Sequence, residues 1–155
     1  MAEAERALAL NPSFLPTYIA FWWANWTEGR PEKANEYAET ALRLSPHDPI
    51  SSVFLGCKGF GLFSLSRYEG AADALRSSVA ANPGQGISHL MLAASLALAG
   101  RDADAREALQ RYLALAGAAG SITQVKGRQP FEAPFVREVY DRVYEGLRKA
   151  GLPEE

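Results

Sequence analysis

GRPEKANEYAETALRLSP, residues 29–46, decides the fold because it recurs. SRYEGAADALRSSVAANP at 66–83 and GRDADAREALQRYLALAG at 100–117 follow the same template. Each opens on a short start (Gly29-Arg30, Ser66-Arg67, Gly100-Arg101) and places alanine five residues on, at Ala34, Ala71 and Ala105. Ala41, Ser78 or Tyr112 comes seven residues later, and a breaker closes the unit at Pro46, Pro83 or Gly117. An earlier half-copy ends at Asn11-Pro12, so the breakers fall 34, 37 and 34 residues apart. A fixed period in this range is the mark of a solenoid, in which each unit buries its apolar face only against its neighbours.

Working outward, the apolar spacing predicts helices over 2–10, 14–28, 31–44, 49–65, 68–81, 87–99 and 103–115, joined by loops short enough to make successive helices antiparallel neighbours. Pro31 falls in a first helical turn, where its missing N–H is no loss. Small residues at 34, 41, 71, 78 and 105 suit close approach of paired helices. Tyr112 breaks that rule and predicts looser packing or a changed neighbour. The three extra residues of the 37-residue copy are assigned to 56–66, lengthening a helix or its turn. After Gly117 the repeat stops. A loop, one helical turn over 122–126 and Gln129-Pro130-Phe131 lead to an amphipathic helix over 135–150. Its apolar side carries Phe135, Val136, Val139, Tyr140, Val143 and Leu147, the composition of a terminal cap. The expected architecture is all-α: a right-handed α-α superhelix with a C-terminal capping helix. A half repeat spans 2–12, repeats span about 13–46, 47–83 and 84–117, and a linker plus cap spans 118–155.

Composition agrees. Of 155 residues, 48% are hydrophobic and 22% charged, the balance of a folded domain rather than a disordered chain. A net charge of −2 gives no general attraction to phosphate backbones or anionic lipid. One cysteine, Cys57, excludes an internal disulfide and fits a reducing, cytoplasmic setting. No secretory leader and no membrane-spanning run is read from the chain.

These residues resemble the tetratricopeptide repeat over about 2–117. That family has a 34-residue helix–turn–helix unit with small residues at two places in its second helix and proline at its end. Tyr18, Phe21, Leu55, Leu92 and Gly56 match further positions of its pattern, whereas Ser52 and His89 replace its aromatic and Trp22 and Ala93 its glycine. The resemblance implies a module that holds another protein. The tail, with Arg128, Pro130-Phe131 and EGLRKAGLP at 145–153, is similar to the carboxyl ends of bacterial multidomain proteins with tetratricopeptide tails. The Ser45-Pro46-His47-Asp48-Pro49 turn is similar to theirs as well. Many of those are class III adenylate or guanylate cyclase-like, and others carry a winged-helix DNA-binding region. The resemblance implies a non-catalytic, regulatory or scaffolding accessory segment whose catalytic or DNA-reading residues lie upstream.

One helix stands out. At 100° per residue, Tyr18, Phe21, Trp22 and Asn25 share one side and Ile19, Trp23 and Trp26 another. The first side is expected to pack into the repeat and the second to line a concave groove. Val53, Phe54 and Cys57 extend that groove, as do Leu90, Met91 and Ala94, with Ile50 and Ile87 alongside and Lys58 as a rare charge. The occupant is a separate protein or peptide, or the chain's own C-terminal helix, or a partner subunit in a homo-oligomer. Family members that clamp a terminal carboxylate need inward lysines and asparagines. Ile19, Trp23, Phe54 and Cys57 stand there instead, which excludes that function.

No constellation supports catalysis, a cofactor or a metal. Gly56, Gly59 and Gly61 lack the strand and Gly-Lys-Ser/Thr of a phosphate loop and are read as close packing. His47 and His89 lack ligand spacing and are read as turn or surface histidines. Cys57 is read as a small groove or core residue. Asp102, Asp104 and Glu107 open a helix, where negative charge suits the dipole. Lys126, Arg128 and Arg137 either meet an acidic partner or form an ordinary charged surface.

Overall fold

The computed structural model describes residues 11, 14–129 and 132–155. The expected half-repeat helix over 2–10 lies outside the described residues, as do Pro130 and Phe131. Among the described residues there are eight helices and no strand: α1 Leu15–Thr27, α2 Pro31–Leu44, α3 Ser51–Ser64, α4 Tyr68–Ala81, α5 Gly86–Leu98, α6 Asp102–Leu113, α7 Ile122–Gly127 and α8 Pro134–Ala150. Sequential neighbours from α1 to α6 pack on one another, giving three helical pairs stacked as a superhelix.

The recurring Gly-Arg, Ser-Arg and Gly-Arg starts have a mechanical role: they end the first helix of each pair. Gly29, Ser66 and Gly100 all take positive φ, at 77°, 57° and 78°. In each turn that residue's N–H and the next one's reach back to two helix carbonyls. Gly29 N–H donates to Trp26 O and Arg30 N–H to Asn25 O. The equivalent bonds run from Ser66 and Arg67 to Phe63 and Leu62, and from Gly100 and Arg101 to Ala97 and Leu96. This is the Schellman closure, which satisfies carbonyls that the helix end would otherwise orphan. It reverses the chain identically three times. Glu32, Glu69 and Asp102 then stand in the first turn of the next helix, at its positive dipole end.

Ala34, Ala71 and Ala105 are fully buried, as are Ala41 and Ser78. Ser78 ties three helices together: its hydroxyl donates to Ser52 O at 2.8 Å and pairs with Ser88 Oγ at 2.9 Å. The α3 glycines are spacers rather than a phosphate loop. A Cβ on Gly59 would fall 2.5 Å from Leu75 Cγ of α4, and one on Gly61 would overlap the Asn35 amide of α2. Tyr112 has the changed neighbour its size demanded, its hydroxyl accepting the Ala119 N–H at 2.8 Å and pinning the loop after α6.

The extra residues of the second copy are divided: one lengthens α3, as expected, and two lie before it, outside 56–66. The α3–α4 turn, 65–67, is as short as the other two, while the loop 45–50 before α3 is longer than its counterpart 82–85. At 14 residues, α3 also exceeds α1 and α5, each of 13. Uniform Schellman turns leave no slack, so the insertion is absorbed mainly where two repeats join and otherwise by the helix.

α8 covers the superhelix by doubling back. It packs chiefly on α5, with lesser contact to α6 and α7. Phe135 meets Trp26 of α1 with ring centroids 6.0 Å apart. Arg142 donates to Ser64 O at 3.0 Å and to Ser66 Oγ at 2.7 Å. A Cβ on Gly146 would lie 2.6 Å from Ala94 O, so α8 and α5 touch backbone to backbone. The helix thus crosses the C-terminal ends of α1 and α3 before lying on α5. Leu152 follows it into the core, and Ile122 and Thr123 N–H groups donate to Pro153 O and Glu154 O, tying the last residues to the start of α7.

Candidate functional site

Two apolar sides of α1 meet different fates. Tyr18, Phe21, Trp22 and Asn25 are buried in the repeat, Phe21 stacking on Tyr37 of α2 at 5.0 Å. On the other side Ile19 and Trp23 are half-buried and Trp26 is completely buried. Trp26 stacks on Trp22 at 5.5 Å, meets Phe60 and Phe135 edge-on, and donates its indole N–H to Ser64 Oγ at 2.8 Å. Trp26 is therefore core, as are Phe54, Met91 and Ala94, each 1% exposed or less. Expectation put these four on a groove filled by a separate partner, by the chain's own C-terminal helix or by a partner subunit. The C-terminal helix accounts for at least two of them, since Ala94 lies under Gly146 and Trp26 under Phe135.

That occupancy is extensive. Six large side chains of α8 are buried: Val136, Val139, Tyr140, Val143, Tyr144 and Leu147. At about 1.5–3 kcal/mol each, their burial favours the docked position of α8.

What stays open on this side is a channel beside α8, over the second half of α1, the middle of α3 and the start of α5. Trp23, Val53 and Cys57 of the expected groove line it, together with Ile87 and Tyr140, around a cavity of about 130 Å³. Ile87, 39% exposed, also borders a second cavity of about 340 Å³. Leu90, Tyr112, Leu115, Val125, Arg128 and Gln129 line that one. The two cavities share Ile87.

The smaller cavity holds no charge. Burial pushes the Cys57 thiol up to about 12, so it is a neutral, inert group there. Burial likewise pushes the Tyr140 phenol up to about 12, a hydrogen bond with the Gln129 side chain pulling the other way. Lys58, expected as the groove's charge, turns instead toward Glu39 of α2, 3.0 Å away. The indole N–H of Trp22 and the side-chain carbonyl of Gln85, on residues of the same cavity, are buried without a hydrogen-bond partner among the described residues.

Sequence reasoning placed the ends of the channel poorly. Its grouping missed Tyr140 and the segment 115–129, because periodicity reports that a face is covered and not by which element. His47 lies exposed in its turn, but His89 is no surface residue: it is buried in α5 with Nε2 2.9 Å from Pro83 O. Asp104 pairs with Arg101 and Arg76, and Glu107 with Arg111. Lys126 lies 5.2 Å over the Tyr144 ring and Arg137 reaches Glu132 at 3.9 Å. Arg128 donates to Gly117 O at 2.7 Å. Among the described residues no group of three His, Cys, Asp or Glu is placed to hold a metal ion. No described helix is long and apolar enough to cross a membrane.

The fold is similar to that in the crystal structure of MamA, a TPR-like helical protein: TM-score 0.67 at 20% sequence identity, with 95% of this chain and 82% of that one covered. No protein-family model matches the chain, and no curated protein matches it either. The architecture is thus a TPR-like all-α superhelix.

Proposed function

We propose that this chain is a non-catalytic protein-interaction module that binds a segment of another protein in the channel beside α8. The observation that carries the reading is the channel itself: Trp23, Val53 and Ile87 stay partly exposed on the concave side although α8 seals the rest of it. Aromatic and aliphatic anchors in a concave, mostly apolar cleft are what peptide recognition by helical grooves uses. The TPR-like fold supports this reading by analogy of architecture.

A peptide array probed with the full chain tests it. Binding peptides are expected to be lost by Ile87→Arg and by Val53→Arg. They are expected to be retained by Leu44→Arg, a change at an exposed apolar residue that lines neither cavity. Equal binding by all three variants refutes the assignment. The parent context proposed is the regulatory or scaffolding end of a cyclase-like or transcription-regulator-like bacterial protein, supported by the likeness of residues 128–153. Sequencing the reading frame upstream of Met1 tests it, and an upstream domain of neither kind overturns it.

A further inference from the structure

We infer that the channel selects a peptide carrying one neutral apolar side chain next to an acidic residue, the apolar group entering the Trp23–Tyr140 cavity and the carboxylate meeting Arg128. This rests on the peptide-binding reading above and specifies its ligand.

Size decides the first half. Sites for whole small molecules run to roughly 300–1,000 Å³, and the smaller cavity offers about 130 Å³, room for a single side chain. Its wall carries no ionised group, Cys57 and Tyr140 both being held neutral by burial. A charged anchor would therefore be desolvated there without compensation. The wall is not purely hydrocarbon, however. The unpartnered Trp22 N–H is a donor and the unpartnered Gln85 carbonyl an acceptor. Both atoms are shielded from solvent, so neither is offered to an entering group and the surface that a side chain meets there is largely apolar.

Charge decides the second half. The neighbouring cavity is bordered by Arg128 and by no acidic residue. Arg76 pairs with Asp73 and Asp104, Arg101 with Glu69 and Asp104, and Arg111 with Glu107, whereas Arg43, Arg67, Arg106 and Arg142 are in no ion pair among the described residues. Arg128 also has no carboxylate partner among the described residues and spends one N–H on Gly117 O. That bond fixes the guanidinium at the cavity edge and leaves further N–H groups of its planar fork for a carboxylate.

The experiment is a fluorescence-anisotropy titration of the full chain with labelled, end-blocked twelve-residue peptides. A central Leu or Gly is followed within three residues by Glu, Gln or Lys on an otherwise Ser/Ala background. The Leu/Glu peptides are expected to bind about tenfold tighter than Leu/Lys, and Gly/Glu peptides to bind at background. Arg128→Glu is expected to invert the Glu-over-Lys order while helical CD and the melting temperature stay near wild type. Arg128→Gln is expected to abolish the preference without inverting it, a result that loosening of the 117–128 loop does not produce. Leu peptides that bind wild type with no acid preference, or a Glu preference that survives Arg128→Glu, overturn this inference and leave the channel assignment standing. Binding by no peptide of any set removes both.

Discussion

Gly146→Ala separates the seating of α8 from generic helix energetics by sign. In a solvated helix interior, exchanging glycine for alanine stabilises by about 0.8–1.0 kcal/mol through backbone entropy. At Gly146 the new Cβ would lie 2.6 Å from Ala94 O and 2.9 Å from Ala94 Cα. Both atoms belong to the α5 backbone and have no rotamer to escape into, so α8 must lift. Overpacking of this kind costs about 1–3 kcal/mol, and after the propensity gain a net loss of about 0–2 kcal/mol remains. Gly70→Ala is the matched control. It lies within α4, and its new Cβ would stand 3.6 Å from the flexible Leu62 Cδ1, an ordinary contact. That variant is expected to gain up to about 1 kcal/mol. Urea unfolding followed by CD at 222 nm gives both values on one baseline. Roughly 1 kcal/mol corresponds to 2–4 °C in melting temperature for a chain of this size. Stabilisation by Gly146→Ala equal to that of Gly70→Ala would refute backbone contact between α8 and α5, and with it the closure of the concave side.

Further outcomes are expected from the same geometry. Trp26→Ala empties a fully buried site and leaves Ser64 Oγ without its donor, costing about 3–5 kcal/mol in denaturant unfolding, whereas Trp23→Ala, at a partly buried side chain, costs less. Ser66→Gly frees a left-handed non-glycine worth about 1 kcal/mol but deletes an acceptor of Arg142. The melting temperature is therefore expected to rise more when this change is made on an Arg142→Ala background than on wild type. Cys57 and Tyr140 are more acidic unfolded than folded. Their stabilisation is complete below pH 9, the ordinary thiol value, and is lost as pH climbs toward 12. Stability measured from pH 8 to 11 is expected to fall, and Cys57→Ala to flatten the first part of that fall. Cys57 is also expected to react with a thiol reagent at pH 8 only after denaturation.

Much of the fold is written in short-range pattern. The starts at 29, 66 and 100 are Schellman corners, and the alanines five residues on are the points of closest approach between paired helices, so both could be read locally. The faces of α1 were legible from its 100° repeat as far as the repeat's own packing goes. Trp26 was not, because its burial depends on Phe135, more than a hundred residues along the chain. The amphipathic pattern of α8 predicts that it covers something, and packing on α5 rather than chiefly on α6 depends on the small surface at Gly146 and Ala94, which has no periodic signature. The insertion was placed only in part for a related reason: counting from breaker to breaker measures total length and does not say how helix and joint share it. Of the expected site, Trp23, Val53, Cys57 and Leu90 border the open cavities, whereas Arg128 and Tyr140 enter only through the tail's path.

That path changes how the molecule should come apart. A stack of helical pairs joined only to its neighbours unravels from either end, one pair at a time, because no link spans the array. Here Arg142 bonds Ser64 across 78 positions and Phe135 reaches α1. The tail ties the first described pair to the last, turning a linear array into a closed circuit. Fraying of one pair then also breaks the strap that holds the others, so loss of structure is expected in a single transition rather than as a procession of repeats. The same strap makes contacts of high sequence separation obligatory, and folding is correspondingly slower than short-range helix pairing allows.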